Sequence, residues 1–197
     1  MKNLSKITIL FFILFSVASY SDAQSFTVNN QQSTVKWNGK KVTGEHYGSI
    51  NFKSGTLQVK DGQVSGGMFE IDMNSITVED ITDENTNARL KGHLKSDDFF
   101  SVNTHPVSKL NITGVKKLSG NEYEFNGNLT IKAITHPITF KATTSVNGSS
   151  LQAEGRMVVN RAQYDIKFRS GSFFQNLGDN LIYDEFTLDF KLVAQQQ

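Results

Sequence analysis

A chain of 197 residues with 15 Phe, 15 Gly, two Pro and no Cys has the length for one domain and enough large apolar side chains for one sizeable core. The lack of cysteine excludes disulfides, thiolate metal sites, thiol nucleophiles and an acylated-cysteine anchor. Lys and Arg number 20 against 19 Asp and Glu, a net charge of +1, so overall charge argues for neither a nucleic-acid partner nor an anionic membrane surface.

From the N-terminus, Lys2 and Lys6 precede an apolar run, Ile7 to Val17, broken only by Thr8 and Ser16. The run is too short to span a bilayer, which takes roughly 20 residues, and has the length of a signal-peptide core. Ser21 and Ala23 put small residues at the positions a signal peptidase reads. The sequence therefore predicts an export segment, 1–23, a mature domain, 24–197, and a periplasmic or secreted location. With Lys2, Lys6 and Asp22 gone, the mature part carries 18 charges of each sign.

The mature part is dominated by period-two alternation. Val35 and Trp37 share a face, as do Phe69, Ile71 and Met73. Further on, Tyr123, Phe125, Gly127, Leu129 and Ile131 alternate with polar residues. So do Ile138, Phe140, Ala142 and Val146, then Leu151, Ala153 and Met157, then Phe186, Leu188, Phe190 and Leu192. Successive strand side chains point to opposite faces, so each strand has one dry and one wet face, as in an antiparallel sheet. Turn signals at Lys60-Asp61-Gly62, Ser119-Gly120-Asn121 and Val146-Asn147-Gly148 separate the strands. A sheet of this size must close on itself or pack on a second sheet, and closure removes its exposed edges. Gly66-Gly67 within a strand signals a bulge or sharp bend. Prolines 106 and 137 are expected at strand starts, where no ladder bond is lost. One helix is predicted, about Asp83 to Lys95, capped by Thr82 or Asp83 with Leu90 and Leu94 on one face.

Chemistry-bearing motifs are scarce. His46, His93, His105 and His136 have no metal-ligand spacing and read as scattered surface residues. Glu79, Asp80, Asp83 and Glu84 lack the pattern of a calcium loop and suit a solvated loop or a helix N-terminus. No nucleophile elbow or phosphate-binding loop is present. The sequence thus predicts no metal, no cofactor and no catalysis. In Ser170–Asp179, Phe173-Phe174 stand in a loop, where they either tuck into the barrel as core or form a flap over a ligand mouth.

Four segments, in order, carry a resemblance: His93-Leu94-Lys95-Ser96-Asp97-Asp98-Phe99-Phe100; His105-Pro106-Val107-Ser108-Lys109-Leu110; Phe125-Asn126-Gly127-Asn128-Leu129-Thr130-Ile131 with Thr135-His136-Pro137-Ile138; and Val159-Asn160-Arg161-Ala162-Gln163-Tyr164-Asp165-Ile166. From about Phe26 to Ala194 the chain resembles the YceI family of exported lipid- and polyisoprenoid-binding proteins. It departs at Lys132 and Ala133, where the family commonly has His and Gly, and at Asp165, where it commonly has Gly. The resemblance implies an elongated, antiparallel, lipocalin-like barrel of about eight strands with a short helical insertion. It also implies a hydrophobic cavity for a polyisoprenoid, isoprenoid quinone or acyl chain.

The expected cavity liners are Trp37, Phe52, Phe69, Phe125, Phe140, Met157, Phe186 and Phe190, with small Gly67, Ala142, Ala153 and Gly155 leaving the room. Two alternatives stand beside lipid carriage or storage. One is a filled structural barrel acting through the Phe173-Phe174 loop. The other is a hydrolase or isomerase of lipid head groups using His93, His105 or His136. A homodimer is an open expectation.

Overall fold

The alternation becomes nine antiparallel strands. In the computed structural model, which describes residues 23–197, these are β1 (Gln24–Val28), β2 (Thr34–Lys41), β3 (Gly44–Lys60), β4 (Gln63–Asp72), β5 (Val107–Lys117), β6 (Glu122–Ile131), β7 (Ile134–Asn147), β8 (Ser150–Asn160) and β9 (Ile182–Gln196). All of the export segment read from the sequence except Ala23 lies outside the described residues.

The sheet runs β3-β2-β9-β8-β7-β6-β5-β4 and closes by pairing β4 back onto β3. Nine strands fill an eight-place ring because β1 and β2 occupy one place end to end. β1 bonds to the far part of β3 and the end of β9, with Thr27 opposite Thr56 and Val28 opposite Ala194. β2 bonds to the near part of β3 and the start of β9, with Val35 opposite both Ile50 and Phe190. Closure leaves no long unpaired edge, the liability of an open sheet.

Register shifts interrupt the ring at four places, two of them between β3 and β4. One leaves Lys53 unpaired against β4; the other leaves Ser65 unpaired beside Gly66, the bulge that the Gly66-Gly67 pair foretold. Pro137 departs from expectation. It is the fourth residue of β7, paired with Asn128 of β6, rather than a strand start. β8 joins β7 only from Lys141 onward. At Pro137 the strand therefore has a neighbour on one side only, the edge situation in which proline is tolerated.

The barrel has two unlike ends. At the sealed end sit the hairpin turns after Lys60, Lys117 and Asn147, together with β1. Asp61 and Gly62 both have positive φ there (51° and 73°), as the tight turn that matches strand twist requires. Phe26, Val59, Val64, Tyr123, Leu151 and Ala194 are all buried and fill this end. The other, helical end carries α1 (Glu84–Lys95) and 3-10 turns at Met73–Ser75, Arg161–Tyr164 and Gly178–Asn180. Asp83 caps α1 by accepting the Thr86 N–H at 2.8 Å, satisfying a donor the helix itself leaves free. No residue of α1 is fully buried, which accounts for its thin apolar face.

The β6–β7 hairpin turns through Lys132 and Ala133, both left-handed (φ 51° and 61°). A Cβ makes that conformation costly, and Lys132 Nζ is tied to the Asp165 carbonyl at 3.0 Å. Ala133→Gly should therefore raise stability by about 0.5–1 kcal/mol, relief of strain outweighing the freer unfolded chain. A rise in the thermal unfolding midpoint checks this.

Candidate functional site: an apolar cavity in the barrel

The inward faces do not meet. They enclose a cavity of about 190 Å³ whose wall is almost wholly apolar. Trp37, Phe52, Phe69, Phe125, Phe140, Met157, Phe186 and Phe190 all stand on that wall, with Leu57, Leu110, Ile112, Leu129 and Leu188 among them. Phe125 and Phe140 stack at 5.4 Å, Phe140 meets Phe190 edge-on at 5.9 Å, and Phe52 lies 6.1 Å from Phe69. Phe186, Leu188 and Phe190 point inward yet are only half-buried, because the cavity leaves part of each uncovered.

The room comes from fewer small residues than the sequence suggests. Ala142 and Ala153 line the cavity, but the space at both glycines is already taken. A Cβ on Gly155 would come within 2.9 Å of the Ala142 Cβ and the Phe190 ring. One on Gly67 would lie 2.9 Å from the Thr56 carbonyl oxygen. These glycines admit neighbouring side chains and the adjacent strand rather than a ligand.

The cavity stops short of the sealed end and reaches the helical end, where Leu94, Phe99, Phe100, Ile166 and Ile182 form its wall. Trp37, Gly39, Leu94, Phe100 and Ile182 are partly exposed there. Phe173 and Phe174 are not on the wall. They are 45% and 49% exposed, so they do not tuck into the barrel as core.

Arg161 is the one charged side chain of the wall that is itself buried. It donates from Nη1 to the Ile166 carbonyl at 2.9 Å, from Nε to Tyr183 at 3.1 Å and from Nη2 to Ile182 at 3.0 Å. Nη2 also lies 3.5 Å from Asp184 Oδ1. Burial pushes the guanidinium below its usual pKa, and the Asp184 charge pushes it back. Asn160 caps the following turn through the Ala162 N–H, Tyr164 is buried, and Ile166 is fully enclosed. The Asn160–Ile166 motif thus ties the helical end to β9.

Three of the four histidines, His46, His93 and His136, are not scattered surface residues. His93 bonds Asp98 at 2.9 Å and packs edge-on between Phe99 and Phe168 at 4.9 and 4.6 Å. His46 bonds Asp80 at 2.7 Å, and His136 meets the Gln163 carbonyl at 3.0 Å and the Tyr164 ring at 5.3 Å. Each is half-buried with a fixed partner. Among the described residues no three His, Asp or Glu side chains gather in a metal-holding group.

The acidic cluster also resolves into separate pairs. Glu79 takes Lys36 Nζ at 2.7 Å, and this bond, the largest influence, holds its carboxyl below the usual range. For Asp80 burial acts upward, but bonds from His46 and the Tyr47 N–H bring it below the usual range. Both belong to a strap, residues 73–80, that continues β4 irregularly along β3 through the Thr77 N–H to Ser49 O and the Glu79 N–H to Tyr47 O, each 2.9 Å. The strap passes over Gly48, where the Thr77 carbonyl also accepts the Trp37 indole N–H at 2.9 Å.

A closed antiparallel barrel around an apolar cavity that reaches one end is an architecture with room for one small ligand. The chain belongs to the YceI-like domain family, whose description matches residues 26–194. A UPF0312 protein of Pectobacterium atrosepticum is 30% identical over 117 residues, 55% of this chain and 58% of that one. A UPF0312 protein of Pseudomonas putida is 31% identical over 120 residues, 60% of this chain and 59% of that one. The matched stretch thus spans less than two thirds of these relatives' length. Among solved structures, Burkholderia cenocepacia BcnA has a TM-score of 0.69 at 20% identity, over 85% of this chain and 99% of that chain. A polyisoprenoid binding domain from Saccharophagus degradans has a TM-score of 0.61 at 16% identity, over 88% and 99%.

Proposed function

We propose that the protein binds one apolar lipid chain in the barrel, without catalysis, and carries or stores it outside the cytoplasm. The observation that supports this most is the cavity, about 190 Å³, apolar and reaching only the helical end. The name of the Saccharophagus degradans domain favours a polyisoprenoid over an isoprenoid quinone or acyl chain. The filled-barrel alternative requires an interior without such a space.

Size decides how the lipid sits. An engineered cavity of about 150 Å³ admits one benzene, so this one holds a segment of roughly seven or eight carbons as it stands. At about 0.8 kcal/mol per methylene that is roughly 6 kcal/mol gross, the scale of tens of micromolar before association costs. Tighter binding therefore needs a longer chain, either extending from the mouth or displacing the half-buried Phe186, Leu188 and Phe190.

Organic extraction of the purified protein followed by mass spectrometry tests the reading. One hydrocarbon-chain lipid per protein is expected. Ala153→Leu, which grows into the cavity, should keep or slightly raise thermal stability while losing most of that lipid. No extracted lipid and no uptake of prenyl or acyl probes by the wild type would sink the proposal.

A further inference from the structure

We propose that the helical end docks on a bilayer through an exposed rim of Val42, Phe173, Phe174 and Tyr183. This goes beyond the lipid-binding reading and rests on it only for its purpose: the cavity would face the membrane that supplies or receives its ligand.

The exposed large apolar side chains are unevenly placed. Val42 (48%), Tyr47, Phe173, Phe174 and Tyr183 belong to the helical end and Leu118 to the sealed end, while Met68 and Val158 lie singly on the outer faces of β4 and β8. The rim is held by the strand that lines the mouth. Ser170 bridges to Ile182, and its carbonyl accepts the N–H groups of Phe173 and Phe174 at 3.1 and 3.0 Å. Ser172 Oγ donates to Asp184 at 2.6 Å, and the Val42 N–H bonds to the Leu181 carbonyl. The rim is therefore fixed to the residues through which the cavity reaches the surface.

Its charges suit head groups. Lys167 Nζ lies 5.4 Å over the Phe173 ring, so the ring can enter the acyl boundary while the ammonium stays at phosphate level. Lys41 and Arg169 stand nearby with no carboxylate partner among the described residues, as Asp179 and Glu185 stand there with no cation partner, while Asp165 is paired with Lys167 and Glu45 with Lys40. The apolar groups come from a hairpin tip, a turn and the start of β9, with basic residues beside them. Separate protrusions of this kind match a lipid interface better than the continuous apolar centre of a protein–protein contact.

Co-sedimentation with vesicles of phosphatidylethanolamine and phosphatidylglycerol reads the docking. Phe173→Ser with Phe174→Ser should lower partitioning roughly 100-fold, while Leu118→Ser leaves it unchanged. Because the chain has no cysteine, Phe173→Cys can carry a bimane label, which should shift to the blue on adding vesicles; a label at Leu118→Cys should not. This readout holds even if the double variant proves unstable. Ala153→Leu should sediment like the wild type, so docking and tail binding fail separately. Absent or equal partitioning of wild type and double variant, or an unshifted label at 173, overturns the proposal. So does a rim that instead holds two copies together, seen as a dimer that the double variant splits without any response to vesicles.

Discussion

Arg161→Met is expected to cost about 3–5 kcal/mol of stability, the range for removing one partner of a buried charge pair. The Arg161 side chain is 5% exposed and that of Asp184 17%. Without the guanidinium, three backbone carbonyls lose their donors. Asp184 Oδ1, which has no other partner, is left as an uncompensated buried charge. Adding Asp184→Asn should recover part of the loss, because a neutral amide tolerates that site better than a lone carboxylate. Denaturant unfolding of the single and double variants gives the comparison. A loss below about 1 kcal/mol for Arg161→Met would mean that the tie between the 161–166 turn and β9 is not structural.

The second large effect is expected from a single methyl group. Gly48→Ala places a Cβ onto the Thr77 carbonyl oxygen, 2.8 Å from its carbon and 2.9 Å from Trp37 Nε1. The two nearest atoms belong to the Thr77 backbone, which no side-chain rotation can clear. The strap must lift, giving up the indole bond and the two backbone bonds to β3, a cost of about 3 kcal/mol or more. Trp37 is the only tryptophan, so its emission should shift to the red as its N–H meets water. The Thr77 and Glu79 amides should lose hydrogen-exchange protection. Gly39→Ala in the adjoining strand, where nothing lies within 4 Å of the new Cβ, is the near-neutral control.

Alternation made the barrel legible because it records which face of each strand is dry. The eight aromatic and Met positions read as inward do stand on one wall. Asp83 announced its helix despite a weak apolar stripe, since a cap is a local signal. What escaped was whatever depends on residues distant in the chain. Nothing beside Arg161 tells that its partners lie at 182–184, so a buried tie looks like any surface arginine. Gly48 is an ordinary strand glycine until residue 77 crosses it. Gly155 looked like free volume because the sequence cannot show Phe190 filling it. Pro137 depends on where β8 begins to pair. Phe173 and Phe174 were ambiguous because adjacent large apolar residues in a loop read alike as core or as protrusion.

The shared place of β1 and β2 joins the beginning of the domain to its finish. Phe26 lies opposite Gln196, and Thr27 opposite Gln195. The ring cannot be completed before β9 is in place, because β1, β2 and β8 all pair with it. Long-range pairing of this kind slows folding.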